Sequence, residues 1–182
     1  MDKELLDVLD PSGRPLHAHA ARPRNEIHRL GLWHETVHVW IVNSKAMILF
    51  QKRASSKESY PGLWDVSAAG HVSSGETALR AAQRETAQEL GLNVAESDLT
   101  YLFTVRTSSI QKKGAFVDNE FNRVYLTSND LSVRELKLQE SEVEAVRFIP
   151  CKVLERLAGK GDPSFAPHPD EYAGLLAHLR RQ

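Results

Sequence analysis

Two hydrophobic rhythms alternate along the chain. Val37–Val42 (VHVWIV) is β-branched and aromatic and reads as a strand. Asn43-Ser44-Lys45 is a turn signal, and Met47–Arg53 (MILFQKR) reads as the returning strand of a hairpin. The opening LLDVLDPSGRPL reads as a short strand, a Pro-Ser-Gly turn and a second strand. Residues 17–32, rich in His and Arg with weak periodicity, predict an irregular arm or a short helix. A loop with a short strand near Trp64–Ser67 follows the hairpin. The rhythm then changes over Glu76–Leu90, where helix formers dominate and Leu79, Ala82, Thr86 and Leu90 recur at steps of three and four. This predicts a helix with one buried stripe, capped by Thr77 or Ser74 and closed by Gly91. Further strands are expected near residues 100–106, 120–127 and 143–149, with Lys112-Lys113-Gly114 as a loop tip. Helices are expected at 150–157 and at 170–181, the latter striped by Tyr172, Leu175, Leu176 and Leu179. The pattern predicts one α/β layered domain over residues 1–182, in which 1–32 form a β-hairpin and arm.

Composition narrows the function classes. The 182 residues are 41% hydrophobic and 26% charged, enough for an ordinary core. Lys plus Arg is 23 against 24 Asp plus Glu, so no net positive field exists to hold nucleic acid. Cys151 is the single cysteine, which excludes an internal disulfide and a cysteine-cluster metal site. It is expected as a half-buried thiol after a strand. No apolar run is long enough for a membrane helix, and the acidic N-terminus lacks a signal-peptide core, so a cytoplasmic setting is expected.

The candidate chemistry sits in GHVSSGETALRAAQRETAQELGL, residues 70–92. Glu85 and Glu89 are four apart, so their carboxylates share one helix face, with Gln88 beside them. Like charges stacked this way repel unless a cation lies between them, and a hard divalent cation such as Mg²⁺ takes oxygen ligands of this kind. A backbone carbonyl at Gly70 could turn towards it. Glu76 and Arg84, two turns apart, could hold the Glu85 region in place. Taken alone, a solvated helix face is the commoner explanation of such charges.

The full spacing changes that balance. Gly70, Glu76, Arg84, Glu85, Glu89, Gly91 and Leu92 resemble the Nudix box, a loop-helix-loop here spanning residues 70–92. The resemblance implies a Nudix α/β/α sandwich with a mixed central sheet. It also implies a diphosphohydrolase using Mg²⁺ or Mn²⁺, with Gly70, Glu85, Gln88 and Glu89 around the metal. Thr86 stands where the family has an aliphatic residue, a mild departure. Gln88 stands where it has the first Glu of a pair, which keeps a carbonyl ligand but loses a charge.

FQKRASSKESYPGLWDVSAAGHVSSGE resembles the isopentenyl-diphosphate isomerase subgroup. It is closer still to the Nudix domain that plants fuse to a dipeptidyl-peptidase-III-like domain. In that subgroup Arg53 and Lys57 match diphosphate contacts, and Arg84 completes the expected cationic set for substrate. A fork and a point charge also suit phosphate oxygens on physical grounds. His34, His71, Asp118 and Glu120 resemble a second metal set, whose mixed ligands suit Mn²⁺ or Zn²⁺. Ala69 stands where the isomerases carry their catalytic cysteine, which favours hydrolysis over isomerisation, although Glu120 matches their catalytic Glu. Glu140 and Glu142 lie in a loop from which such enzymes draw a general base; Glu142 is the candidate and Glu85 its rival. Trp33, Trp64, Phe116, Phe121 and Phe165 either line a pocket or pack the core, core packing being the commoner role. His17, His19, His38 and His168 suggest no role. The expected substrate is a small isoprenoid diphosphate, cleaved to monophosphate and phosphate. Alternatives are a nucleoside diphosphate-linked substrate, isomerase activity, or a non-catalytic diphosphate sensor. A homodimer is among the assemblies the resemblance allows.

Overall fold

The computed structural model describes residues 4–16, 21–111 and 116–181. Its centre is β3 (Trp33–Val42), whose last seven residues bar none are buried. A strand covered on both faces reads as a near-continuous apolar run, which explains VHVWIV. β3 meets β4 (Met47–Arg53) at the turn, through Val42 and Ile48. The two strands then part. β3 takes β6 (Ala68–His71) as an antiparallel partner, while β4 takes β5 (Trp64–Asp65) and β9 (Val143–Pro150). The expected hairpin is therefore real at its tip only. On its other side β3 runs parallel to β8 (Phe116–Ser128), from Trp33 opposite Asn119 to Val42 opposite Ser128. β7 (Thr100–Gln111) pairs antiparallel with β8. One parallel pair among antiparallel ones makes the sheet mixed.

Helices cover both faces. α2 (Ala78–Leu90) lies on one, where Ala81, Ala82 and Leu90 join Val37, Val39, Ile41 and Leu49. Thr77 caps it by accepting from the Arg80 N–H, and Gly91 ends it at φ 67°. Gly91 is also a close approach, since a Cβ there would lie 2.8 Å from the Lys137 Cβ. Thr86 fits the buried stripe because its hydroxyl donates to the Ala82 carbonyl at 2.7 Å. On the other face α3 (Val153–Gly159) and α4 (Pro169–Leu179) supply Leu154, Leu157, Tyr172 and Leu175 against Trp40, Phe50 and Val124. The chain is thus an α/β protein with a mixed sheet between flanking helices.

Three expectations need correction. The opening hairpin closes only through a Leu9–Pro15 bridge. Its strand β1 (Leu5–Leu6) instead pairs with β2 (Arg22–Pro23), because Leu6, Val8 and Ile27 of α1 (Arg24–Leu30) share a small core. β7 and β8 run longer than residues 100–106 and 120–127, since Thr107-Ser108-Ser109 of β7 and Asp118-Asn119 of β8 are polar positions that mask the strand signal. Pro150 ends β9, so α3 starts only at Val153. The Lys112-Lys113-Gly114 tip, His17 and His19 lie outside the described residues. Cys151 is a half-buried thiol directly after β9, as expected.

Candidate functional site

A cleft of about 750 Å³ opens between the end of β6, the side of α2 that carries Arg84, Glu85, Gln88 and Glu89, and the N-terminal end of α4. At one end stand the α2 carboxylates. Arg84 forms two bonds to Glu76, at 3.0 and 2.9 Å, and reaches Glu85 Oε1 at 2.5 Å and the His71 carbonyl at 2.8 Å. It therefore clamps the box loop to the helix, as the Glu76–Arg84 spacing predicted. Every guanidinium nitrogen has a partner within the protein. Glu89 Oε2 accepts from the Ala69 N–H at 3.0 Å and from Gln51 Nε2 at 3.1 Å.

Burial dominates the electrostatics of this pair. It pushes the Glu89 carboxyl up to about 8, aided by Glu85 and opposed by the Ala69 N–H. It pushes Glu85 up to about 7, opposed chiefly by Arg84. Two carboxylates whose anions are this unfavourable fit a cation that would share them. Gly70 fits the same arrangement: a Cβ there would lie 2.1 Å from the Glu85 carboxylate, so only glycine lets the backbone come this close. Gln88 Oε1 lies 3.3 Å from Arg84 Nη1 on the exposed side.

A second cluster gathers His28 of α1, His34 of β3 and His71 of β6, each offering a nitrogen within 4.8 Å of the others. Each Nδ1 faces an oxygen: Asp118 Oδ1 at 2.8 Å for His28, the Leu32 carbonyl at 3.0 Å for His34 and Glu4 Oε2 at 3.5 Å for His71. With Nδ1 donating, the Nε2 atoms carry lone pairs. Those of His28 and His71 lie 3.2 Å apart, and that of His34 is buried with no hydrogen-bond partner. Glu120 Oε1 lies 3.7 Å from it. Burial holds the His71 imidazole below its ordinary value, which favours the neutral, ligating form. The unpartnered His34 Nε2 beside the Glu120 carboxylate, with two more imidazole nitrogens close by, fits a transition-metal ion. The fold thus brings His34, His71, Asp118 and Glu120 together and adds His28 and Glu4. His28 went unnoticed because it lies in the weakly periodic arm.

The cationic residues meet the cleft from the last residue of β4, Arg53, and from the loop after it, which carries Lys57. Arg53 Nε and Nη2 donate to Ser59, at 2.9 and 3.1 Å, and Nη1 donates to Asp65 Oδ2 at 3.2 Å. Lys57 pairs with Glu142, so the expected phosphate ligand and the expected base face each other. Glu140 is not among the residues lining the cleft. Of the five aromatic residues only Phe116 lines it, stacked on His28 at 4.2 Å. Phe165 lies in the core, and Trp33 packs on Phe121.

The other end of the cleft floor was silent in the sequence. Glu171 of α4 accepts from His38 Nδ1 at 2.8 Å and from Trp40 Nε1 at 2.7 Å. Burial opposes the His38 cation, but Glu171 overrides it and raises the imidazole to about 9. Glu171 itself is lowered, because His38 outweighs the burial that opposes its charge. His168 Nε2 lies 2.9 Å from Asp65 Oδ1. The signal available in the sequence was a His or Asp at an inward-facing strand position, which takes meaning only once its partner is known.

A mixed sheet thus stands between helices, with helix-borne carboxylates and a cationic loop around one cleft. Residues 32–168 match the model of the NUDIX domain. The chain is 37% identical over 187 residues to Nudix hydrolase 3 of Arabidopsis thaliana, covering 100% of this chain but only 24% of that protein. It is 35% identical over 179 residues to an isopentenyl-diphosphate Delta-isomerase of Pectobacterium atrosepticum, covering 96% of each. Among solved structures, DR0079 from Deinococcus radiodurans superposes with a TM-score of 0.71 at 20% identity, over 93% of this chain and 98% of that one. The chain belongs to the Nudix family and is a Nudix hydrolase. Members generally use a divalent metal and bind small diphosphates. Among the described residues no helix is long and apolar enough to cross a membrane.

Proposed function

We propose that the protein is a diphosphohydrolase that cleaves a small organic diphosphate, with a short isoprenoid diphosphate as the first candidate substrate. The observation that carries this reading is the Glu85–Glu89 pair, buried against a glycine that leaves room for it and unfavourable as anions without a cation. A Mg²⁺ or Mn²⁺ ion held by the Gly70 carbonyl, Glu85, Gln88 and Glu89 would polarise the phosphoryl oxygens and lower the cost of forming the nucleophile. Arg53 offers its remaining N–H groups to the diphosphate. Lys57 leaves Glu142 for a phosphate oxygen, which frees the Glu142 carboxylate to take a proton from the attacking water. Glu85 is the alternative base. His28, His34, His71 and Glu120 would hold a second metal ion of the Mn²⁺ or Zn²⁺ kind. The whole chain is read as one such domain.

Isomerisation is the second reading, favoured by relatives named isomerases and by the imidazole cluster. Ala69 weighs against it, since a methyl group cannot exchange a proton. The test is phosphate release from isopentenyl, dimethylallyl and nucleoside diphosphates, with Glu89→Gln alongside. Near neutrality Glu89 is protonated without metal, so a neutral Gln should fold normally. Losing several kcal/mol of electrophilic stabilisation should lower turnover roughly 100- to 1000-fold. Unchanged turnover in Glu89→Gln would remove the assigned role, and a double-bond shift without phosphate release would install the isomerase.

A further inference from the structure

We infer that His168 is a positioning residue for Arg53, acting through Asp65 to keep the arginine fork open towards the diphosphate. The inference rests on the reading that Arg53 holds that group. Arg53 has five N–H donors, of which three are engaged by Ser59 and Asp65. The two left, one on each Nη atom, are what a phosphate can use. Asp65 is buried, and a carboxylate beside a guanidinium prefers to take it with both oxygens. Here it does not. Asp65 Oδ1 already accepts from His168 Nε2 at 2.9 Å and from the Val66 N–H at 2.8 Å. Only Oδ2 is turned to Arg53. Without His168, Oδ1 has spare capacity and the carboxylate can rotate into a two-pronged pair with Arg53. That rotation consumes a donor the diphosphate needs.

The fold sets His168 there by a separate device. Residues 164–166 lie along β5 as a short parallel addition: the Trp64 N–H donates to the Ser164 carbonyl at 2.9 Å, and the Ala166 N–H to the Trp64 carbonyl at 2.8 Å. The Tyr172 hydroxyl then donates to the Ala166 carbonyl at 2.6 Å. Asp65 follows Trp64 directly, so its distance to His168 is fixed by backbone pairing. The His38 ring, itself bound to Glu171, stands 5.2 Å from the His168 ring. His168 makes no side-chain capping bond to α4, so replacing it leaves the helix start intact.

The test is calorimetric titration with methylenediphosphonate, a diphosphate that cannot be hydrolysed, in the presence of Mg²⁺. His168→Leu and His168→Ala remove the donor with and without filling its volume. His168→Gln keeps an N–H near the Nε2 position. The donor-free variants should bind roughly tenfold more weakly, the worth of one charge-assisted hydrogen bond. Turnover should show a raised KM with kcat little changed, and His168→Gln should recover most of the loss. Wild-type affinity in both donor-free variants, or a loss in His168→Gln equal to that in His168→Leu, overturns the inference if Arg53→Ala still weakens binding. Unchanged binding in Arg53→Ala overturns the role of Arg53 itself. In the wild-type protein, ¹⁵N spectra should show a protonated His168 Nε2 that persists when the diphosphonate binds. An unprotonated Nε2 in the bound state overturns the relay without relying on any variant.

Discussion

Glu89 and Glu171 are both almost wholly buried, 4% and 1% exposed, on helices that cover opposite faces of one sheet. Their environments drive them in opposite directions. Glu171 has a cation and an indole N–H on its two oxygens and sits below its ordinary value. Glu89 has two neutral donors on one oxygen, a second carboxylate nearby, and sits well above it. The first carboxylate is complete within the protein. The second waits for positive charge from outside. Burial alone therefore does not mark a functional carboxylate; burial without a compensating cation does.

The contrast breaks most visibly at Glu171. Glu171→Ala strands the His38 cation and the Trp40 N–H in the interior, and should cost roughly 3–5 kcal/mol in urea unfolding. Glu171→Gln keeps an acceptor for the indole but no charge for His38, so it should cost less and let the His38 imidazole titrate lower, read by proton NMR. A loss in Glu171→Ala below about 1 kcal/mol would refute the view that this pair is a fixed part of the fold.

A smaller effect sharpens the contrast through pH. Glu85 and Glu89 have folded values of about 7 and about 8 against 4.5 for an ordinary glutamate. Between pH 4.5 and 8 the unfolded chain has released these protons while the metal-free native state still binds them. Stability must therefore fall as pH rises across that window. His38, raised from 6.5 to about 9, acts in the same direction: its contribution is full below 6.5 and is lost through 9. The metal-free protein should be less stable at pH 8 than at pH 5.5 by several kcal/mol, at about 1.4 kcal/mol per pH unit crossed for each group, and Mg²⁺ should restore most of the carboxylates' share at pH 8 and little at pH 5.5. A Mg²⁺ effect equal at both values would detach the cation from these carboxylates.

The two regions also differ in how far the sequence revealed them. Glu76, Arg84, Glu85 and Glu89 lie on one helix and the loop before it, so their spacing alone states their geometry. The same holds for the apolar stripe beneath them. His38 and Glu171 are 133 residues apart, and His28 and His71 are 43 apart. Those meetings depend on the β3–β8 parallel pairing and on α4 folding back over the sheet, and neither leaves a local pattern. His168 needed one step more, because its partner is set by pairing along a strand of only two residues.

Gln88 offers the mildest perturbation of the α2 end. As the one substitution in the box that removes a charge, it suggests a crippled site. Its position argues otherwise. Gln88 is exposed, whereas Glu85 and Glu89 are largely withdrawn from solvent, so water screens whatever charge stands there. Its carbonyl already faces Arg84 Nη1 at 3.3 Å, and a carboxylate in its place would spend part of its charge on that guanidinium. Gln88→Glu should therefore tighten Mn²⁺ binding and raise turnover by no more than about tenfold, with metal affinity following ligand charge. A Mn²⁺ titration of both proteins, followed by phosphate release at saturating metal, reads the two effects separately. A rise above about 100-fold would place the missing charge at the centre of the reaction and make the present chain a diphosphate binder rather than an enzyme.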